Sequence, residues 1–323
     1  MRKTVFFVGE RPCAVWGTDI HKRNMTFLTN FDTKYFEYLA DIHFSQIGSD
    51  VAQQAATALR TSYGLGLETF FSLLGAAIQA PDCVFGWLFK YKDSDLALVI
   101  NCIMGKERLQ TRLFGHLSWE SLSNLVNRNL VLDDKEKENE IKARYAKLWE
   151  YLAMNYLDND LRNEFNSVKH GLRLQPGGIQ VAIGQQDRPD MPAPPERMQS
   201  IPGSKFGATV LRLERIGGLK HDYHIKEDSR NWDISSLTGR IRMISMSIGN
   251  VISFLLIQNG QDPTHSRFFW PEDLEDFDKV WEPSFVLTRV IWGVRIDEKD
   301  IKPTQTEDVE KVYPKQNAGS RKD

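Results

Sequence analysis

The stretch Asp233–Gln258, DISSLTGRIRMISMSIGNVISFLLIQ, decides how the rest of the chain is read. Asp233 and Ser235 are helix-capping residue types. The apolar residues behind them recur at helical spacing so densely that the segment predicts a helix buried over most of its surface. A helix of that kind needs other elements to cover it. The sequence just before it does not supply them: QPGGIQVAIG, FGATVLRL and DYHIK read as short strands, separated by the proline-rich loop QQDRPDMPAPPERMQSIPGSK. The covering helices must come from earlier in the chain, so the strands interrupt a single helical domain.

Those earlier helices are legible from period and caps. TKYFEYLADIHFSQ follows Asp32, a plausible cap, with Phe36, Leu39, Ala40, His43 and Phe44 at helical spacing. The proline-free, alanine-rich run Val51–Ala80 predicts two central helices or one kinked helix, its small residues allowing close approach. Leu96–Met104, Ser118–Asn129 and Asp133–Tyr156 continue the pattern. In the last of these, DDKEKENEIKARYAKLWEYL sets opposite charges three and four apart, the mark of a solvated helix face. Residues 1–31 carry the β-favouring clusters TVFFV and CAVW and predict an extended segment or small hairpin. SFVLTRVIWGVRI is readable as a strand or a buried helix, and periodicity leaves both open. The expected class is mainly α: a helical bundle over residues 32–300 with a small β insertion at about 174–230, then a polar, disordered tail at 301–323.

Composition narrows the function classes. Among 323 residues, 41 Lys and Arg face 43 Asp and Glu, so no global basic field points to nucleic acid, and any such site is a local patch. The three cysteines, Cys13, Cys83 and Cys102, are odd in number and form no CxxC pair, which fits a reducing cytoplasm better than a disulfide framework or structural zinc. The first residues, MRKTVFFVGERPC, hold too short an apolar run for a signal-peptide core. Glu68, Pro81 and Asp82 break the most apolar long region, Gly64–Phe89, so a soluble protein with no membrane span is expected. His221 and His224 in DYHIK's neighbourhood are an odd number of residues apart and point to opposite faces of a strand, so no shared metal is expected. There is no Walker loop, GxGxxG after a strand, GxSxG or HExxH, and no cofactor is implied.

One run concentrates polar chemistry. In DLRNEFNSVKHGLR, Asp160–Arg173, the residues Leu161, Phe165, Val168 and Leu172 form an apolar helical stripe. Asn163, Asn166, Ser167 and His170 gather on roughly the opposite side, with Arg162 at its edge and Gly171 placed to end the helix. Within it, RNEFNSVKH resembles the signature of HEPN domains, where an Arg, commonly followed by Asn, precedes a His near the end of a bundle helix. The family's motif has four to six intervening residues; seven intervene here.

The resemblance implies a metal-independent endoribonuclease, of a defence or toxin type, working as a homodimer whose motif helices face each other over RNA. It assigns Arg162, Asn163 and His170 to catalysis. Asn166, Lys169 and Arg173 lie outside the motif and are candidate substrate contacts on the same basic, amide-rich run. The chemistry suits those side chains: RNA can be cut by its own 2′-hydroxyl. A His with an ordinary pKa near ~6.5 moves the proton and an Arg fork stabilises the phosphorane. RNWD, Arg230–Asp233, repeats an Arg-Asn pair beside Trp232, so Arg230 and Trp232 are further candidates for contacting phosphate and stacking on a base. Two other readings stay open. His and Lys in a last helical turn also complement the helix dipole, and Trp232 suits ordinary burial beside a capping Asp233. The same face also suits a non-catalytic protein that binds a nucleotide or a protein partner.

Overall fold

A computed structural model of the chain describes residues 2–111, 117–169, 173–186, 188, 191, 193–216, 222–282, 284–293 and 311. It divides into two compact units: Met1–Leu172 with Trp232–Phe285, and Arg173–Asn231 with Val286–Asp323.

The first unit opens with the hairpin β1 (Arg2–Val8) and β2 (Arg11–Gly17), joined through Gly9 and Glu10. Gly9 has φ 61°, the positive first position that a two-residue hairpin loop favours, and glycine takes it without steric cost. Helices α1 (Ile20–Thr29), α2 (Tyr35–Phe44), α3 (Ala52–Gln79), α4 (Val84–Lys90), α5 (Asp93–Gly105), α6 (Trp119–Val126), α7 (Lys135–Leu157) and α8 (Asn159–Lys169) follow. The hairpin is tied to α3 by Gln79, whose amide accepts from the Gly9 N–H at 2.9 Å and donates to the Gly9 carbonyl at 2.7 Å.

α3 is one uninterrupted helix of 28 residues. Its glycines serve contact rather than a break. A Cβ on Gly64 would stand 2.2 Å from the Phe165 ring, and one on Gly75 would stand 2.7 Å from the Trp87 ring. After residues 173–231 the chain returns to this unit as α9 (Ile234–Gln258), capped as its sequence predicts by Asp233, whose carboxylate accepts from the Ser236 N–H at 3.1 Å. α9 lies along α3 and α2. Two of its buried polar side chains find partners inside: Trp149 Nε1 donates to Ser247 Oγ at 3.0 Å, and Asn250 Nδ2 donates to Asn127 Oδ1 at 3.0 Å. Among the described residues α9 is the one helix long and apolar enough to cross a membrane, and 72% of its most apolar window is buried within the protein. The unit closes with the short helix α10 (Asp276–Lys279).

The second unit is a sheet structure. β3 (Leu174–Pro176), β6 (Gly207–Arg215), β7 (Tyr223–Asn231) and β8 (Arg289–Gly293) form a four-stranded antiparallel sheet in that order, and β4 (Val181–Gly184) pairs with β5 (Met198–Ile201) in a separate ribbon. Asn231 staples the connections, donating to the carbonyls of Ile179 at 2.9 Å and Leu287 at 2.7 Å while accepting from the Ile179 N–H at 2.7 Å.

This corrects the expected fold class. Of the described residues 53% are helical and 17% are strand, in one four-stranded and two two-stranded antiparallel sheets. It is a mixed α/β protein, not a mainly helical bundle with a small insertion. The physical reason lies in SFVLTRVIWGVRI: its residues Arg289–Gly293 pair with Arg230 back to Lys226, so a segment sixty-six residues downstream of β7's start completes the sheet. Long-range pairing of this kind leaves no local periodic signal. The tail at 301–323, read as disordered, lies outside the described residues apart from Lys311.

Candidate functional site

α8 carries the motif as far as Lys169, and its first turn is held by Asp158, whose Oδ1 accepts from the N–H groups of Asp160 at 2.7 Å and Leu161 at 3.2 Å. The stripe expected to bury is Leu161, Phe165 and Val168, with Leu172 outside the described residues. Val168 is buried, whereas Leu161 and Phe165 are half-buried, and the most buried side chain on the helix is Glu164 at 3% exposure. A carboxylate in that position needs partners. Arg60 supplies a bidentate pair, Nε to Oε1 at 2.7 Å and an Nη to Oε2 at 2.9 Å, and Trp232 Nε1 donates to Oε1 at 2.9 Å. Burial alone would push the Arg60 guanidinium down; the Glu164 carboxylate against it carries it above its ordinary value.

A second pair repeats the logic one turn on. α3 has only two charged side chains, Arg60 and Glu68, and both are answered from α8. Glu68 takes the Lys169 ammonium at 3.1 Å and the Tyr91 hydroxyl at 3.3 Å. Burial, together with the Glu68 charge, pushes the Tyr91 phenol up to about 12. The Lys169 ammonium also lies 5.6 Å from the Phe165 ring centre.

Between these two anchors, α3, α7 and α8 enclose a pocket of about 40 Å³, room for about three waters. Tyr63, Gly64, Leu67, Leu161 and Phe165 form its mostly apolar wall, and Arg60, Asn155, Tyr156 and Arg162 bring polar groups to it. Asn155 is committed, accepting from the Tyr63 hydroxyl at 3.2 Å and donating to the Tyr151 carbonyl at 3.0 Å. Burial pushes the Tyr63 phenol up, and the nearby Arg240 and Arg60 only partly offset it. Arg162 differs from its neighbours: it is half-buried, yet its guanidinium has no ion pair and no side-chain hydrogen bond among the described residues.

The predicted site residues therefore sort by surroundings. Asn163 is exposed and Asn166 half-buried, both on α8 with Arg162. Lys169 is held by Glu68. Trp232 is 5% exposed with its indole N–H on Glu164, the setting of a buried tryptophan rather than of a stacking platform. Arg173 and Arg230 belong to the second unit. There Arg173 is exposed beside β3, and Arg230 lies along β7 at 3.6 Å from the buried Asp228 carboxylate, which Arg289 and Arg212 also reach at 2.7 and 3.3 Å. His170 lies outside the described residues, as do Gly171 and His221.

Sequence reasoning missed Glu164, Arg60, Tyr63, Asn155 and Tyr156. For Arg60 a signal was present: an arginine in a long, nearly uncharged helix has to find a carboxylate. Glu164, three residues after Leu161 and four before Val168, sits beside the apolar stripe and was the available partner. Comparison with family models, with curated proteins and with solved structures finds no match to this chain.

Proposed function

We propose that the outer side of α8 cuts RNA without a metal, in the manner the HEPN-like motif implies. The observation that carries this reading is Arg162. Of the two arginines that line the pocket, Arg60 is neutralised by Glu164, while this half-buried guanidinium on the motif helix has no ion pair among the described residues. An uncommitted arginine beside an apolar pocket suits a phosphate that arrives from outside.

In the mechanism, the substrate's 2′-hydroxyl attacks the adjacent phosphorus once its proton is removed, the 5′-oxygen leaves, and a 2′,3′-cyclic phosphate remains. His170 moves the proton, the role for which an imidazole side chain, with an unperturbed pKa of ~6.5 as a class, is suited near neutral pH. Arg162 donates to the non-bridging oxygens as charge develops on them. Asn163 orients the backbone. A homodimer that places two motif helices across one strand of RNA, and a cytoplasmic setting suited to the free thiols of Cys13, Cys83 and Cys102, belong to the same proposal.

The test is cleavage of labelled single-stranded RNA in the presence of EDTA, with light scattering on the same samples. Wild-type dimer should cleave and His170→Ala should not. Equal cleavage by the two would remove His170 from the mechanism. RNA bound tightly but left intact by the wild-type dimer would favour the non-catalytic binding reading.

A further inference from the structure

The pocket beside Arg162 holds a second uncommitted donor that belongs to no motif. Tyr156, in the last turn of α7, is half-buried and lines the same pocket. Its ring is fixed against Phe71, centroids 5.5 Å apart and planes tilted by 57°. Among the described residues its hydroxyl makes no hydrogen bond. The charged groups around it are Asp93, Glu68 and Arg162, with the Tyr91 phenol beside them; Lys169 pairs with Glu68 and reduces its repulsion toward an incoming anion. Burial, with Asp93 and Glu68, pushes the Tyr156 phenol above its ordinary value, so near neutral pH it keeps the proton it would donate.

We propose that Tyr156 is a substrate-contacting residue: its hydroxyl and the Arg162 guanidinium, brought together from α7 and α8, form a two-donor seat for one phosphate of a single-stranded RNA at the mouth of the pocket. The apolar wall of Tyr63, Leu67, Leu161 and Phe165 keeps water from one side of that phosphate, where donors act more strongly than in bulk solvent. The identity of the anion as RNA rests on the reading above; the seat itself does not depend on cleavage.

The experiment uses a fluorescent, fully 2′-O-methylated oligonucleotide, which lacks the attacking hydroxyl and cannot be cut. Its binding to full-length wild type, Tyr156→Phe, Arg162→Ala and the double variant is followed by anisotropy, beside cleavage of unmodified RNA. Tyr156→Phe keeps the ring against Phe71, so its unfolding midpoint should match wild type, while affinity falls about tenfold, the loss expected for one hydrogen bond to a charged group. The double variant should lose less than the product of the single losses, because both donors serve one phosphate. Unchanged affinity in Tyr156→Phe, or losses that multiply, would overturn the seat, as would no binding by wild type. Weakened binding by both single variants with no cleavage by wild type would keep the seat and discard the ribonuclease. Cleavage that depends on His170, with Tyr156→Phe indistinguishable from wild type, would do the reverse.

Discussion

Replacing Glu164 by alanine tests the packing of α8 apart from its proposed role in cleavage, because the residue stands on the buried side of the helix that carries Arg162. The substitution leaves the Arg60 guanidinium, whose side chain is 12% exposed, without its two charge-assisted bonds, and leaves the Trp232 N–H without its acceptor. Breaking a buried pair from one side costs ~3–5 kcal/mol, because an uncompensated charge stays behind. An unsatisfied indole N–H adds up to ~1–3 kcal/mol, but the vacated space admits water and the two losses share one site, so they do not sum. The expected destabilisation is ~4 kcal/mol. Arg60→Met with Glu164→Leu removes both charges and fills the space, leaving only the indole N–H unsatisfied, and should cost ~1–2 kcal/mol. Urea unfolding followed by tryptophan fluorescence, with hydrogen exchange read along α8, measures both. Glu164→Ala within ~1 kcal/mol of wild type, or a double variant as unstable as the single one, would refute the view that this pair locks α8 to α3.

Gly64→Ala should lower stability by ~1–2 kcal/mol despite alanine's better helix propensity, since the new methyl would meet the Phe165 ring at 2.2 Å; a stabilised variant in the same urea assay would show that α8 yields freely. Glu138 gives a pH prediction. The hydrogen bonds from Lys135 and Lys142, both at 2.8 Å, hold its carboxyl down to about 2 from its ordinary 4.5. A depressed folded-state value contributes stability that is present above the unfolded pKa and is lost as pH falls from 4.5 toward 2. The stability difference between wild type and Glu138→Gln should therefore be flat above pH ~5 and shrink below it, and two curves that stay parallel down to pH ~2 would contradict the assignment.

Much of the helical part was legible because its signals are local. Asp233 caps α9 and Asp134 caps α7 where capping residue types stand before an apolar period, and Ser118 closes a reciprocal cap with Ser121 at α6. The sheet was not legible to the same extent. β6 and β7 stand out as strands, but β8 is specified by pairing with β7 across a helix-rich interval, and its own residues fit a helix or a strand equally well. At the site, the helix period put Asn163 on the outer side, where it is exposed, and Arg162 at that side's edge, where it is half-buried against a pocket, yet reading polar residues as solvent-facing hid Glu164. Its burial depends on Arg60, over a hundred positions away, and no period carries that information. Tyr156 and Asn155 were invisible for a related reason: the end of a charged helix reads as wet until α3 and α8 are folded beside it.

The central claim is that the exposed side of α8 acts chemically on RNA while its buried side only holds it in place, and the rate of RNA cleavage by Arg162→Ala in EDTA tests it most directly. The guanidinium has no ion pair among the described residues, so unfolding should stay within ~0.5 kcal/mol of wild type. Cleavage should fall about a hundredfold as the phosphorane loses a donor whose removal typically costs ~3 kcal/mol. A variant that is as stable as wild type and cleaves RNA at the wild-type rate would contradict the account.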